Sequence, residues 1–356
     1  MNSRLSQADL REDVRQLVRL LEESHPDPYV GGGGRVAFHR RFHELLDEIP
    51  AEGLTVREFL HALRPLVASV RDGHTDIRGS LTGGAHERRT WVELDVVEER
   101  LYVSGVYRED QRRAIGGRIR SVEGIAWPEL IRRSAAFRGY ENAYGNIVHL
   151  AEAVSKPDIL AELLGYEKLP DLVHVDLELS DQTPLTIALP IGSAAPGPVI
   201  RPPSRLSLPE PNSAAIGWGF LTEDRSVAIL RVDTMMRYRE AFEAWRATGY
   251  ATNLGDRLTT AAEDASGRKA PPGIDERIAL IPSATETLEA LVTAMRGAKT
   301  TTLVVDLRRN EGGNSLLATI FGYFFYSVEQ LLETDEGYQI PRFSELYFEN
   351  NLATSL

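Results

Sequence analysis

"LVVDLRRNEGGNS", residues 303–315, sets four apolar residues in its first five against an Asp, two Arg, an Asn and a glycine pair. A continuous apolar run such as LVV suits a strand buried on both faces of a parallel sheet. In open α/β sheets ligands bind at the carboxyl ends of strands, where the chain leaves the sheet for a loop and a helix. This stretch has that position, because "LLATIFGYFF" beyond it reads as a buried helix. Adjacent glycines at 312 and 313 permit positive φ and close approach of a substrate. Amides at a strand-to-helix turn point outward as free donors, and such donors stabilise an oxyanion. A structural turn in which Asp306 and Arg308 pair accounts for the same charges.

Upstream, strand "SVAILRVD" (226–233) and helices up to Met295 complete a βαβ reading with this strand. "PIGSAAPGPVIRPPSRLSLPEPNS" (190–213) is rich in Pro, Gly and Ser and reads as an extended linker. Before it, "TWVELDVVEERLYVSGVY" and "LVHVDLELSDQTPLTIAL" read as two β-hairpins with one or two helices between them. From Ser6 to about Val70 the apolar residues recur at helical spacing, as in Val14, Leu17, Val18 and Leu21, giving three helices. The glycine run 31–34 follows no strand and lacks the Lys-Ser/Thr of a phosphate loop, so it reads as a flexible connection.

At 356 residues the chain suits two or three domains, and 42% hydrophobic residues supply sizeable cores. A net charge of −12 argues against a nucleic-acid surface, which needs a concentrated basic patch. Only four of the 40 basic residues are lysine, and there is no cysteine, which removes disulfides, thiolate nucleophiles and cysteine metal sites together. The first residues are polar, with no signal-peptide core, and no stretch reaches about 18 uninterrupted apolar residues. A cytoplasmic location without a membrane span is expected, although a chain trimmed of a leader reads the same way.

"VASVRDGHTDIR" (67–78) ends a helix near Arg71, turns at Asp72-Gly73 and presents His74 beside Thr75 and Asp76. Histidine titrates near neutrality and is the usual general base. Seven other histidines compete, but only His74 sits on a tight turn with acidic neighbours to orient its ring.

With "LLEESHPDPY" (20–29), "DGHT" (72–75), "AIGGRIRSVEG" (114–124) and "DLRRNEGG" (306–313) in this order, the chain resembles the tricorn-core and carboxyl-terminal-processing serine peptidases. The resemblance implies an α+β or α/β multidomain fold. An N-terminal helical region (1–84) precedes a PDZ-like β-rich domain (85–192), a linker (193–213) and a partial crotonase/ClpP-like α/β core (214–356). It implies hydrolysis of peptide bonds in the C-terminal regions of substrates, with His74 as general base and Gly312 and Gly313 as oxyanion donors. Asp72, Thr75, Asp306, Arg308 and Asn310 would support these motifs. Gly116, Gly117, Arg118 and Ile119 would hold a peptide's terminal carboxylate in the PDZ-like domain; a ligand-free β-turn is the plain alternative. No cofactor or metal is implied.

The family's nucleophilic serine lies downstream of "DLRxNxGG", and the chain reads as ending short of it, so it is expected to be inactive alone. Neither Ser344 nor Ser355 precedes a helix that would fix it, and Ser315 begins one and reads as its cap. None of Lys156, Lys168, Lys269 and Lys299 follows a serine at dyad spacing. The apolar segment 316–326 and the aromatics Phe343, Tyr347 and Phe348 point to a companion chain or a homo-oligomer completing the core. His39 and His43, four apart on a helix, lack a third ligand for zinc. Two other readings are a pseudo-peptidase that only binds peptide C-termini and a crotonase-like acyl-CoA enzyme, whose oxyanion hole is also built from amides after a strand.

Overall fold

Helical spacing in the first seventy residues resolves into α1 (Gln7–Ser24), α2 (Arg35–Glu48) and α3 (Val56–Ala68). This is a computed structural model, and it describes residues 3–77, 88–203, 206–248, 254–333, 342–345 and 348. The expected boundary at 84/85, with His86, Tyr347 and Ser355, lies outside them. The chain divides into two units, Met1–Pro203 with Pro341–Leu352 and Ser204–Ile340 with Ala353–Leu356. The division falls inside the proline-rich stretch 190–213.

In the first unit the helices start where polar caps stand. Ser6 Oγ accepts the Asp9 amide at 3.2 Å, and Thr55 with Glu58 forms a reciprocal capping box at the head of α3. Leu10, Val14 and Val18, four apart, bury one face of α1 against Phe38 of α2 and Leu63 of α3. The glycine run is not a flexible connection. Val30–Gly32 is a 3₁₀ turn, and a Cβ on Gly31 or Gly32 would lie 2.3 Å from the Val70 or Ser69 carbonyl oxygen. Glycine is there because two backbones touch, and that contact seats the end of α3 just ahead of Asp72.

The same unit continues with β1 (Arg89–Thr90), β2 (Val92–Val97), β3 (Arg100–Val106), β4 (Arg118–Val122) and β5 (Ile125–Ala126). Three helices follow, α4 (Trp127–Phe137), α5 (Ala143–Ser155) and α6 (Pro157–Leu164), and then β6 (Leu172–Glu178) and β7 (Pro184–Gly192). The sheet order is β1-β7-β6-β4-β3-β2, with β5 beside β4 and every pairing antiparallel. Because β1 and β2 are broken only at Trp91 yet lie on opposite edges, the sheet curls on itself. Leu130, Leu150 and Leu160 of the helices are fully buried against Val173, Val175 and Leu177. Each such side chain contributes about 1.5–3 kcal/mol of transfer free energy. One helix more than the sequence suggested is present, since α6 starts on Pro157 only two residues after α5 ends. Proline suits a first helical turn, so its break marks a new helix rather than a loop.

The second unit contains β8 (Ile216–Phe220), β9 (Val227–Val232), α7 (Arg239–Thr248), α8 (Leu254–Ser266), α9 (Ile274–Leu280), α10 (Ala284–Ala298), β10 (Thr302–Asp306), α11 (Leu316–Phe325) and α12 (Val328–Glu333). Its sheet runs β10-β9-β8, with β9 and β10 parallel and β8 antiparallel to β9. The βαβ reading thus has its parallel pair. The expectation that LVV is buried on both faces is corrected: among the described residues β10 is an edge strand, and Val304 and Val305 are 39% and 41% exposed. The central strand β9 holds the burial instead, through Ala228, Ile229, Leu230 and Val232. Nor is the following helix fully buried, since Leu317 is covered while Tyr323 is exposed. The segment Ile274–Ala298 is long and apolar enough to cross a membrane. Here it is two helices separated at Pro282, with Ile278, Leu288 and Leu291 packed into cores of this unit.

Candidate functional site

Two loops carry the residues singled out for catalysis by the sequence, one in each unit, and a third, in the first unit, carries those singled out for carboxylate binding. In the first unit, Asp72 organises the turn after α3. Its Oδ1 accepts the His74 amide at 2.9 Å and its Oδ2 accepts the Thr75 hydroxyl at 2.6 Å. Its carbonyl takes the Thr75 amide at 3.0 Å. His25, from "HPDPY", adds a contact that sequence reasoning missed: its Nε2 lies 3.2 Å from Asp72 Oδ2. His25 Nδ1 accepts the Asp27 amide at 3.1 Å, so the ring proton sits on Nε2 and is donated to Asp72. Burial pushes the Asp72 carboxyl up, but the bonds from Thr75, the His74 amide and His25 outweigh it and hold it below its ordinary value.

Gly73 fixes the turn from the other side. Its amide donates to Glu141 Oε1 at 3.2 Å, and its carbonyl accepts Arg138 Nη2 at 2.9 Å. Asp76 faces Arg138 at 3.7 Å rather than the histidine ring. The His74 side chain is 97% exposed, with Nδ1 3.6 Å from Asp72 Oδ1, beyond hydrogen-bond length. The turn is therefore rigid in its backbone while the imidazole is presented to solvent. Asp72, His74 and Glu141 each bring one ligand atom within 4.8 Å of the others. The two carboxylates already serve as acceptors within the turn.

In the second unit, the chain leaves β10 through an ion pair. Arg308 donates from Nε and Nη2 to the two Asp306 oxygens, both at 2.8 Å. The Arg308 bonds, against the cost of burial, hold the Asp306 carboxyl down to about 2. Asp306 and Arg308 thus brace the turn. Asn310 then bridges loop and sheet: Nδ2 donates to Val232 O at 3.1 Å, and Oδ1 accepts the Gly312 amide at 2.8 Å. Gly312 O accepts the Met235 amide and Asn314 donates to Met235 O, both at 2.9 Å, so 312–314 run as a short parallel bridge beside Met235.

This arrangement separates the two glycines. The Gly312 amide is engaged by Asn310, whereas the amide of Gly313, an exposed residue, has no acceptor among the described residues. Gly313 has φ 137°, and a Cβ there would lie 2.5 Å from Met236 Cγ and 2.6 Å from Met235 C. Ser315 makes no capping bond. Asn314 Oδ1 accepts the Leu316 amide at 2.9 Å and takes that part instead.

The 116–119 loop does not leave a carboxylate cradle. Gly116 donates to Val103 O of β3 at 2.8 Å and Gly117 to Ala114 O, the end of a 3₁₀ turn, at 2.9 Å, so both amides are spent on backbone carbonyls. Arg118 pairs with Glu178, and Ile119 is 2% exposed within the core. The glycines serve the turn into β4. Elsewhere, His39 Nε2 lies 3.0 Å from Glu22 and braces α2 against α1. Ser134 Oγ lies 3.0 Å from His149 Nδ1 while also donating to Asn146 O at 2.9 Å, but both side chains are buried, so this serine–histidine contact belongs to the core.

No family model matches the chain, and no curated protein matches it. Solved structures do. The structure of mature CPAF complexed with lactacystin aligns with a TM-score of 0.51 at 15% identity, over 87% of this chain and 58% of that one. A serine-to-alanine mutant of CPAF aligns with a TM-score of 0.51 at 14% identity, over 87% and 57%. The chain thus spans somewhat under three-fifths of the length of the structures it matches. At this identity the likeness is one of fold alone, the mixed helix and sheet that this chain shares with the CPAF structures.

Proposed function

We propose that the chain belongs to a peptide-bond hydrolase of the carboxyl-terminal-processing and tricorn-core type. His74 is the general base and the Gly313 amide is the oxyanion donor. The observation that carries this reading is the N–H of Gly313, an exposed residue, which has no acceptor among the described residues, at the strand-to-helix turn of a protease-like fold. Losing one such donor commonly costs about 2.7–4 kcal/mol in the transition state. Asn310, by engaging Gly312, and the Asp306–Arg308 pair hold that turn in shape. The curled seven-stranded sheet is read as the PDZ-like domain and a peptide or protein as the substrate.

The attacking hydroxyl is supplied from outside the described residues. Ser315 lies in helical backbone at the head of α11 with no histidine bonded to it, and Ser134 is sealed in the core. The outer edge of β10, unpaired among the described residues in a strand whose own Val304 and Val305 are exposed, suits a strand from a companion chain or second copy. A peptide-binding protein without chemistry is the second reading, favoured by the His74 ring, which no carboxylate among the described residues reaches at hydrogen-bond length.

The deciding experiment treats the chain with a fluorophosphonate probe and titrates it with extended peptides and acyl thioesters. Peptide binding without a serine adduct is expected. Stoichiometric labelling of a described serine of this chain overturns the placing of the hydroxyl elsewhere, and binding of acyl thioesters alone overturns the hydrolase reading.

A further inference from the structure

A cleft of about 370 Å³ opens between α3, α4 and α6 in the first unit, lined among others by His61, Arg64, Arg132, Arg133, Phe137 and Glu162. Its charges do not cancel. Arg64 donates to Glu162 from Nε at 2.6 Å and from Nη2 at 3.4 Å, which neutralises one guanidinium. Arg132 and Arg133 share a single carboxylate: Glu129 accepts two bonds from Arg132 and one from Arg133 Nε, all at 2.7 Å. Three guanidiniums therefore meet two carboxylates, and guanidinium stays charged at any working pH. An exposed His61 adds a fourth basic group. This lies in a chain whose net charge is −12.

The donors are also held in place. Arg133 Nη1 bonds Leu164 O at 2.8 Å at the C-terminal end of α6, which fixes the plane of its guanidinium. Arg132 Nη1 and Arg133 Nη2 have no acceptor among the described residues. Beside them the wall is apolar. The Arg64 guanidinium carbon sits 3.8 Å from the centre of the Phe137 ring, and Pro65 and Leu163 complete the lining. A surface of this kind complements an anion with an apolar body, since the forked donors match a carboxylate and the ring and aliphatic groups cover the rest.

We propose that this cleft binds a small monoanionic carboxylate of about amino-acid to dipeptide size, taken at the guanidinium edges of Arg132 and Arg133 that Glu129 leaves open. The site is independent of the hydrolytic reading and survives its failure.

The test is calorimetric titration of the whole chain with N-acetylphenylalanine, with its primary amide and with inorganic phosphate. Arg132→Gln and Arg133→Gln are measured alongside, their folding checked by circular dichroism. The acid is expected to bind at least about tenfold more tightly than the amide, and either variant to weaken it by about fivefold or more. Since tenfold is about 1.4 kcal/mol, one lost charge-assisted bond suffices for the first difference. Equal affinity for acid and amide, indifference to both substitutions in folded variants, or tighter binding of phosphate than of the acid overturns the proposal.

Discussion

Asn310 ties the glycine loop to the central strand, its Oδ1 accepting the Gly312 amide at 2.8 Å while its Nδ2 donates to Val232 O at 3.1 Å. Both ends of one amide are in use, so neither alanine nor aspartate can replace it. Asn310→Ala removes both bonds, and Asn310→Asp keeps the acceptor but sets a carboxylate against the Val232 carbonyl. Each is expected to lower the unfolding free energy by about 1–3 kcal/mol in urea denaturation, with aspartate no better than alanine. A wild-type midpoint for Asn310→Asp would show that the Val232 bond contributes nothing.

The two glycines next to it are expected to differ under substitution. Gly312 has φ 85°, and a Cβ added there would have nothing within 4 Å, so alanine meets only backbone strain, about 1–2 kcal/mol. At Gly313 the added methyl also meets Met236 Cγ at 2.5 Å and the Met235 backbone at 2.6 Å. Overpacking adds about 1–3 kcal/mol to the strain. Thermal denaturation should rank Gly313→Ala below Gly312→Ala, and the reverse order would contradict the loop geometry.

Much of this architecture is legible in the chain, for identifiable reasons. Helical spacing and the Thr55–Glu58 box mark α3, because burial and capping both act locally. The apolar run of β10 announces a strand but not its place in the sheet, which depends on what pairs with it from elsewhere in the chain. The hairpin turn at Glu98-Glu99 is legible from the polar break between two apolar runs, although φ values of 46° and 59° fall on two glutamates where glycine or asparagine is the usual signal. Amide availability is hidden as well. Gly116 and Gly117 look like a ligand loop, and only the partners Val103 O and Ala114 O show that their donors are spent. His25 could have been found by asking what the imidazole of "HPDPY" bonds, but its partner Asp72 is 47 residues away.

Asp72 concentrates three side-chain acceptor contacts in one carboxylate, from the His74 amide, the Thr75 hydroxyl and His25 Nε2. Asp72→Ala removes all three while leaving the backbone bond from the Thr75 amide to residue 72. Hydrogen exchange of the His74 amide should quicken by about tenfold or more, the equivalent of about 1.4 kcal/mol of local opening, with the α1–α3 core unchanged. Unaltered exchange at His74 would mean that Glu141 and Arg138, acting on Gly73, suffice to hold the turn.

His149 sets an acid limit on the first unit. Burial is the main reason its imidazole is depressed from about 6.5 to about 4, with Phe137 stacked at 5.4 Å and Ser134 at 3.0 Å. The unfolded chain takes up the proton near its ordinary value, whereas the native core refuses it until about 4. Stability from this group is therefore complete above about 6.5, declines as pH falls towards 4, and changes no further below that. The full effect is on the order of 3 kcal/mol, from about 1.4 kcal/mol for each unit between the two values. In urea denaturation at about pH 7 and about pH 4.5, on either side of most of that window, His149→Gln should lose less stability on acidification than the wild type, because glutamine takes up no proton. Parallel losses in the two proteins would assign the acid sensitivity to other groups and leave His149 uninvolved.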